Sequence, residues 1–325
     1  MIGSKTIAVV VPTYNEEIKI AKTLQTMPDY VDRIYVVDDS STDQTAQIVE
    51  QLARQDARIL SIRHTVNGGV GKAIATGYLA AANDSVDFVA VMAGDGQMDP
   101  KDLPDLLAPA LADKADYVKG NRFFHEVQGV GEIPAVRLIG NLVLSILTKI
   151  ASGYWHISDT QCGYTVINLT ALRSIDWNLI YPRYGCPNDI LTRLNIENFR
   201  VCEVPIHARY GSDWTSKMRV RKVIAPILSL LFRLFMLRMY RKYVYMNGHP
   251  IVLAYFAAFV LASVAFMLAA YLVVKTAIAL VVPKAALIMF GIAMTGFIQV
   301  LLTAFSWDYQ LNERLYAYQN SSQPR

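Results

Sequence analysis

The stretch VAVMAGDGQMDP, residues 89–100, decides the fold class, because in it an apolar run ends abruptly on a polar turn. A short apolar run bounded by turn residues is typical of a strand buried inside a sheet. Here the run ends on Asp95, which stands between two glycines, with Gln97 two residues further on. A carboxylate at the end of a buried strand indicates a site more than a simple turn.

The same alternation recurs along the first two hundred residues. Short β-rich runs are predicted as strands at 6–11, 33–37, 58–63, 88–92 and 116–119. Amphipathic stretches near 18–27, 42–55, 70–82 and 102–113 separate them and are predicted as helices. Strands alternating with helices predict an α/β fold with a mostly parallel sheet.

Polar clusters follow four of the predicted strands. They are Pro12-Thr13-Tyr14-Asn15-Glu16, Asp38-Asp39, Asn67-Gly68-Gly69 and Gly94-Asp95. Ligands of open α/β sheets bind beyond the carboxyl ends of the strands. We therefore expect one site, built from four strand ends.

Each cluster also has a plainer interpretation. Pro12 and Asn15 could only form a turn, Glu16 and Glu17 could complement a helix N-terminus, and residues 38–42 could cap the next helix. The run 67–72 is neither a P-loop nor a dinucleotide fingerprint, because Val66, Ala73 and Ile74 stand where those motifs need other residues. The remaining interpretation is a glycine turn that leads into a helix, with Lys72 near a helix N-terminus that favours anions.

The composition indicates a membrane attachment. The chain is 53% hydrophobic, and it contains uncharged runs at 251–274 and 285–307. Both runs exceed the ~20 residues that cross a bilayer as a helix. A pair of buried core helices is the alternative, but core helices rarely lack a polar face. The sequence predicts two membrane spans.

Charge placement predicts the topology. Before the first run lie Arg233, Arg238, Arg241 and Lys242, whereas the connection between the runs has only Lys275 and Lys284, and Arg314 follows the second. The N-terminus lacks a signal-peptide pattern, so we expect the large domain and both termini in the cytosol.

The overall charge and the cysteines exclude other classes. With a net charge of +4 and basic residues bunched beside the first run, we expect these residues to face lipid headgroups and not nucleic acid. The three cysteines, Cys162, Cys186 and Cys202, suggest neither a disulfide framework nor a zinc site. The stretch 219–245 mixes apolar and basic residues, which suits interfacial helices or an oligomer contact.

The order of motifs resembles the family 2 glycosyltransferases, and within them the polyprenyl-phosphate group of dolichyl-phosphate mannose synthases and bacterial polyprenyl-phosphate glucosyltransferases. The motifs are VPTYNEE (11–17), VVDDSSTD (36–43), NGGVGKA (67–73), GDGQMDP (94–100) and GNRF (120–123). The resemblance covers about residues 6–217, and the Gln-x-x-Arg-Trp motif of the processive synthases does not occur in this chain.

The resemblance implies a domain organisation. It predicts a cytosolic GT-A domain, Rossmann-like with a mostly parallel sheet, at 1–218. Amphipathic juxtamembrane helices at 219–248, two transmembrane helices within 249–308 and a cytosolic tail at 309–325 follow. Some relatives are homotetramers, so a homo-oligomer is implied as well.

The resemblance also assigns a donor side, which would hold a GDP- or UDP-hexose with Mg²⁺ or Mn²⁺. The metal carboxylate is the second acid of an Asp-x-Asp motif, which aligns with Asp95, and Gln97 offers a further oxygen. Ala93 replaces the first acid, so altered donor contacts are expected rather than loss of the ion. The glycines would let the backbone approach the diphosphate. The implied donor contacts are Pro12, Tyr14, Glu16, Asp39, Lys72, Ala93, Gly94 and Asp95.

The acceptor side is implied to bind polyprenyl or dolichyl phosphate through cations. The candidates are Arg122, Arg137, Arg209, Ser216 and Lys217, although each arginine could instead be a surface charge or pair with a carboxylate. Asp159 matches a family acid near the reacting centre, and Thr165 replaces an arginine often found there. Asp189 stands where hydroxyl-using relatives keep their base, or it caps a helix.

The sequence thus predicts an inverting, metal-dependent transfer of a hexose to polyprenyl phosphate on the cytosolic leaflet, with the sugar left open. One alternative is an enzyme that uses a lipid or glycan hydroxyl, with Asp189 as base. The other is a catalytically degenerate membrane scaffold, which the replacement at Ala93 motivates.

Overall fold

The computed structural model describes residues 1–123, 135–207, 220–279 and 282–317. Two compact units divide the chain. The sheet unit comprises Met1–Phe235 together with the residues from Leu315, and the helical unit comprises Met236–Arg314. The boundary between them falls within a helix.

The described part of the sheet unit contains a seven-stranded sheet of order β3-β2-β1-β4-β6-β5-β7. The strands are β1 Ile7–Thr13, β2 Arg33–Asp38, β3 Ile59–Arg63, β4 Phe88–Val91, β5 Tyr117–Asn121, β6 Thr165–Asn168 and β7 Val201–Pro205. All paired neighbours are parallel except for β6, which runs antiparallel to both β4 and β5. The expected mostly parallel α/β fold is confirmed.

The helices of the sheet unit connect these strands. They are α1 Ile20–Gln25, α2 Thr45–Ala53, α3 Val70–Asn83, α4 Leu103–Leu111, α5 Ala135–Ser152, α6 Leu169–Ser174 and α7 Cys186–Ile196. Helix α8, Val220–Arg238, follows the last strand and runs into the helical unit.

The central strands are buried on both faces, which explains their uninterrupted apolar sequence. In β1, Ala8 and Val10 join one apolar cluster together with Tyr78 of α3, whereas Val9 joins a second cluster with Leu106 of α4. Side chains of a strand alternate between its two faces, so helices cover the sheet on both sides. For these central strands, the polar loops at the strand ends are therefore the part that reaches solvent.

The five predicted strands and the four predicted helices between them are all present, with shifts of a few residues at their ends. Strands β6 and β7 were not predicted from the sequence. These two strands, with the antiparallel β6 inserted between β4 and β5, widen the sheet on the side away from β3.

The helical unit consists of a π-helical segment, Met239–Tyr245, and two long apolar helices, α9 Ile251–Ala279 and α10 Lys284–Asn312. Both helices are long and apolar enough to span a membrane. Only 17% and 11% of the residues in their most apolar windows are buried, which argues against soluble core helices. They are candidate membrane spans.

One expectation about this unit is wrong. Arg238 and Lys242 were expected to face lipid headgroups, but both are buried. Arg238 forms a two-pronged ion pair with Asp308 of α10, at 2.7 and 2.8 Å, and Lys242 Nζ donates to Asn312 Oδ1 at 2.8 Å. Arg238 and Lys242 are four residues apart, and so are their partners Asp308 and Asn312, so each pair is spaced by about one helical turn. Arg233 and Arg241 are exposed and remain available to headgroups.

Candidate active site

Asp95 lies in the turn that follows β4, at the carboxyl edge of the sheet. Its side chain is half-buried, and Oδ1 accepts the backbone N–H of Gln97 at 3.1 Å. The turn is tied to the end of β1, because Gly94 N donates to the Pro12 carbonyl at 3.1 Å. The carboxylate of Asp95 is thus presented on a turn fixed to the neighbouring strand.

The two glycines beside Asp95 are also required by the local structure. A Cβ on Gly94 would lie 2.9 Å from Thr13 Oγ1 and 3.1 Å from Ile20 Cδ1, so the chain's own side chains fill that space. Gly96 has a φ of +70°, which disfavours residues with a Cβ. Packing and turn geometry therefore account for both glycines, and the approach of a diphosphate to this backbone stays a prediction.

The loops after β1 and β2 are joined by several hydrogen bonds. Asn15 N donates to Ser41 Oγ and Glu16 N to Thr45 Oγ1, both at 2.9 Å. In return, Thr42 N donates to Asn15 Oδ1 at 2.9 Å. Asn15 has a positive φ of 54°, which asparagine tolerates better than most residues. These contacts hold the two loops together beside Tyr14, which is 41% exposed.

Two of the plainer interpretations of these loops are wrong, namely the helix cap at 38–42 and the acidic helix N-terminus at Glu16 and Glu17. Helix α2 begins at Thr45 after Gln44, so residues 38–42 do not cap it. Helix α1 has no acidic residue in its first turn, and Glu17 instead accepts the backbone N–H of Gln44 at 2.9 Å.

Asp39 organises the glycine turn after β3. Its carboxylate accepts Gly68 N at 2.8 Å and Gly69 N at 2.7 Å, and His64 Nδ1 lies 2.7 Å from Oδ1. Because a carboxylate only accepts, Nδ1 of His64 carries the proton. The side chain of Asp39 is almost fully buried. An ionised carboxylate has about four acceptor positions, so capacity for one further donor remains after these three.

The glycine turn itself packs against another loop. A Cβ on Gly71 would lie 2.3 Å from the Tyr181 carbonyl oxygen, and Lys72 N donates to the Pro182 carbonyl at 3.2 Å. The N–H groups of Gly68, Gly69 and Lys72 are therefore all satisfied within the protein. The exposed ammonium group of Lys72 remains a candidate contact for a diphosphate, and anion binding at this helix N-terminus stays a prediction.

Arg122 and Asp159 form a close pair beyond the end of β5. Asp159 Oδ2 accepts Arg122 Nε at 2.7 Å, and Oδ1 accepts Nη2 at 2.9 Å. Burial would raise the pKa of Asp159, but the hydrogen bonds and the charge of Arg122 outweigh it, so this pKa falls below its usual value. Asp159 is 2% exposed, whereas Arg122 is 32% exposed, so the guanidinium is the solvent-facing part of the pair.

Asp189 is tied into the protein by an ion pair and a backbone hydrogen bond. Its carboxylate is buried, pairs with Arg193 Nε at 2.7 Å and accepts the backbone N–H of Tyr181 at 2.7 Å. Burial raises its pKa, and the Arg193 charge opposes this rise. Asp189 lies in the first turn of α7 without capping it, so the capping interpretation is wrong, whereas its role as a base stays a prediction. It holds the loop that packs on the glycine turn.

Several predicted acceptor contacts cannot be placed. Arg209, Ser216 and Lys217 lie outside the described residues, and of Arg137 only the position in α5 is described. Thr165 is buried at the start of β6, where it pairs with Lys119 of β5.

Two charged residues beside Arg122 and Asp159, Lys119 and Glu203, were not predicted from the sequence. Lys119 and Glu203 face each other in register on β5 and β7, and Lys119 is fully buried. Burial lowers the pKa of Lys119, which nearby acids partly offset, and burial raises the pKa of Glu203. A lysine inside the β-rich run YVKGN was the only sequence signal, and its partner lies 84 positions further along.

The Asp95 turn fits a divalent ion that is shared with a bound ligand. Among the described residues no group of three His, Cys, Asp or Glu side chains could hold a metal alone. Mg²⁺ is commonly held by one or two carboxylates together with substrate phosphates and water. Asp95 and the amide oxygen of Gln97 supply the hard oxygen ligands that such an arrangement needs.

Comparison with known proteins is consistent with this geometry. The family model described as Glycosyl transferase family 2 matches residues 8–175. The UDP-N-acetylglucosamine–dolichyl-phosphate N-acetylglucosaminyltransferase of Methanococcus voltae is 28% identical over 250 residues, 73% of this chain and 98% of that protein. The undecaprenyl-phosphate mannosyltransferase of Micrococcus luteus is 30% identical over 202 residues, 61% of this chain and 81% of that protein.

A solved structure shares the fold. It is glucosyl-3-phosphoglycerate synthase from Mycobacterium tuberculosis in complex with Mn²⁺, uridine-diphosphate-glucose and phosphoglyceric acid. It superposes with a TM-score of 0.50 at 19% identity and covers 72% of this chain and 80% of that one.

Proposed function

This chain belongs to glycosyl transferase family 2 and has a GT-A-like fold, and we propose that it transfers a hexose from a GDP- or UDP-sugar to polyprenyl phosphate. Relatives named as transferases to dolichyl and undecaprenyl phosphate support this kind of reaction. The two candidate spans support an acceptor that resides in the membrane.

The observation that carries the proposal is the placement of Asp95 and Arg122 on one edge of the sheet. Strands β4 and β5 run in the same direction with β6 between them, so their carboxyl ends lie at the same edge. Neighbouring strands are about 4.8 Å apart, so two strand spacings separate these ends by roughly 10 Å. A donor diphosphate at Asp95 and an acceptor phosphate at Arg122 would then flank a hexose.

The acceptor chemistry needs positioning more than proton removal. A phosphate monoester loses its second proton near pH ~6, so a lipid phosphate is already a nucleophile at neutral pH. Arg122 would orient its oxygens for in-line attack on the anomeric carbon, which inverts that centre. Arg137, Arg209, Ser216 and Lys217 are proposed as further acceptor contacts.

On the donor side, Tyr14 would stack on the base and Pro12 and Glu16 would line the nucleoside pocket. Asp39 would accept one base N–H with its remaining capacity, and Lys72 would reach the diphosphate. Asp95 and Gln97 would hold Mg²⁺ or Mn²⁺, and the Mn²⁺ in the glucosyl-3-phosphoglycerate synthase structure supports a divalent ion. When bound, the ion neutralises the leaving diphosphate.

We propose the cytosolic face of the membrane as the place of reaction. Residues 1–218 would form the cytosolic catalytic domain, 219–248 the juxtamembrane helices and 249–308 the spans, with both termini in the cytosol. The segment after the spans would return to the catalytic domain, since Tyr316 pairs with Val201 of β7 and its hydroxyl donates to the Gly153 carbonyl. A homo-oligomer remains part of the proposal.

The hydroxyl-acceptor alternative needs Asp189 as its base, and the contacts of Asp189 with Arg193 and with the backbone of Tyr181 support the phosphate acceptor instead. The degenerate-scaffold alternative rests on Ala93, where the donor side lacks one acid. Only turnover separates that alternative from the proposal.

The experiment is a panel of labelled nucleotide sugars offered to the full chain in detergent with Mg²⁺ or Mn²⁺ and short-chain polyprenyl phosphate. The proposal expects one donor class to release its nucleoside diphosphate together with a lipid-soluble labelled product. Stereochemistry of the product should be inverted. If the protein is folded and binds nucleotides but releases no nucleoside diphosphate from any donor, the proposal of an enzyme is wrong and the scaffold alternative is favoured.

A further inference from the structure

Glu203, on β7, accepts three N–H groups from the elements around the Arg122–Asp159 pair. Oε1 accepts the backbone N–H of Asp159 at 2.7 Å, and Oε2 accepts the backbone N–H of Ser158 at 2.9 Å. Oε2 also accepts Asn121 Nδ2 at 2.9 Å. One carboxylate therefore binds both the segment before β6 and the end of β5.

A buried lysine holds the other end of the same segment. Lys119 Nζ donates to the Cys162 carbonyl at 2.6 Å. Lys119 pairs with Glu203 in the register of β5 and β7, so both side chains rise from neighbouring positions of the sheet. Between them they fix residues 158–162, the segment that carries Asp159.

Asp159 passes this fixed geometry on to Arg122. Its two oxygens accept Nε and Nη2 in a fork, and Oδ2 also lies 3.2 Å from the backbone N–H of Arg122. Forked pairs of this kind depend on the orientation of both planar groups. A displaced Asp159 would therefore turn the guanidinium away from its present direction.

We propose that Glu203 is a positioning residue for the acceptor phosphate: through the backbone of Ser158 and Asp159 it sets the direction in which Arg122 presents its guanidinium. This inference rests on the proposed function, in which Arg122 grips that phosphate. Glu203 itself touches neither substrate.

The test is Glu203→Gln in the full chain in detergent, with kinetics measured separately for donor and acceptor. Glutamine has one acceptor oxygen and a donating NH₂ group, so the three N–H groups around it can no longer all be satisfied. We expect the KM for short-chain polyprenyl phosphate to rise by between about 10- and 100-fold, since small misplacements of a binding group have effects of that size. Donor affinity should be nearly unchanged, which also shows that the variant is folded.

Two comparison variants make the readout specific. Glu197→Gln changes an exposed glutamate just after α7 and should leave both constants as they are. Glu203→Asp keeps the charge but shortens the side chain, so its acceptor KM should lie between those of the parent and of Glu203→Gln. If Glu203→Gln fails to fold, Glu203→Asp carries the test.

The double variant with Arg122→Ala separates positioning from general stability. If Glu203 acts through Arg122, then adding Glu203→Gln to Arg122→Ala should raise the acceptor KM no further. Independent, multiplying effects of the two changes would overturn the inference, as would an unchanged acceptor KM in Glu203→Gln while Arg122→Ala raises it. An unchanged acceptor KM in Arg122→Ala would instead overturn the acceptor role of Arg122 and, with it, the proposed function of this edge.

Discussion

At the scale of single residues, the proposed donor side depends on Asp95, whose half-buried carboxylate accepts the backbone N–H of Gln97. Asp95→Asn keeps the shape and removes the charge that would bind a divalent ion. We expect transfer to be abolished while thermal unfolding stays close to that of the parent. An excess of chelator should have the same effect on the parent protein, and normal turnover in chelator would contradict the metal role.

Ala93→Asp is the companion change, because it restores the acid expected at the first position of the motif. We expect this variant to keep its activity or to change only its donor affinity, as measured by nucleotide-sugar titration. Complete loss of metal-dependent turnover would show that the metal carboxylate is assigned to the wrong position.

Asp189 tests the difference between a base and a structural anchor. Asp189→Asn removes the charge that pairs with Arg193 but keeps an oxygen for the N–H of Tyr181. We expect transfer to fall by much less than the ~100-fold typical of a lost general base. The free energy of unfolding should drop by about 1.5–3 kcal/mol, as for hydrogen bonds to charged groups. Steady-state kinetics and denaturant unfolding on the same preparation separate the two effects.

At the scale of elements, hydrogen bonds to Asn15 join the loops after β1 and β2, which are proposed to form the nucleoside pocket. Asn15→Ala removes the acceptor for Thr42 N and places alanine at a positive φ. We expect the free energy of unfolding to fall by about 1–3 kcal/mol and nucleotide affinity to weaken.

Asn15→Gly is the control for that prediction, since glycine accepts the backbone angle but lacks the amide. Its loss of stability should be smaller than that of Asn15→Ala, while its loss of nucleotide affinity should be similar. Equal, parent-like affinity in both variants would mean that this loop contact does not shape the pocket.

The elements show what sequence patterns can predict. The strands β1 to β5 were predictable because each is a β-rich run that local turn residues bound. Strand β6 has four residues and β7 carries Glu203 and Pro205, so neither run has a strong local pattern. Chain order also does not reveal that β6 inserts antiparallel between β4 and β5, because that depends on pairing between distant segments.

In the candidate site, too, local sequence patterns do not reveal contacts between distant segments. Asp95 and Asp159 were assigned to the candidate site by motif, and the parallel sheet predicted that the ends of its strands lie at one edge. The roles of Asp189 and Glu203 depend on contacts with Tyr181 and Ser158 that no local pattern encodes. A carboxylate in a motif position therefore predicts proximity to a site, whereas its chemical role depends on which groups it already binds.

At the scale of the whole molecule, charge counting beside the membrane could not distinguish buried from exposed arginines. The partner of Arg238 is Asp308, which is 70 positions away and directly follows the apolar run 285–307. Asp308 is the first charged residue after that run, so in the sequence it simply marks the end of the second predicted span. In the structure it anchors the segment before α9 to the end of α10.

Arg238→Met and Arg241→Met form a matched pair for this point. Removing Arg238 leaves Asp308 buried without its ion-pair partner, so we expect a loss of about 3–5 kcal/mol in stability and a clear drop of the melting temperature in detergent. Arg241 is exposed, and its replacement should leave the melting temperature unchanged while weakening binding to anionic vesicles. A reversed pattern would restore the headgroup assignment for Arg238.

The measurement that tests the central claim most directly compares two acceptors that differ only in the phosphate. The full chain in detergent, with its preferred nucleotide sugar and a divalent ion, is given short-chain polyprenyl phosphate or the corresponding polyprenyl alcohol. The account predicts transfer to the phosphate alone, with little loss in Asp189→Asn, because an ionised phosphate needs orientation by Arg122 and no base. Efficient transfer to the alcohol, together with collapse of activity in Asp189→Asn, would contradict it and make the enzyme a hydroxyl-directed transferase.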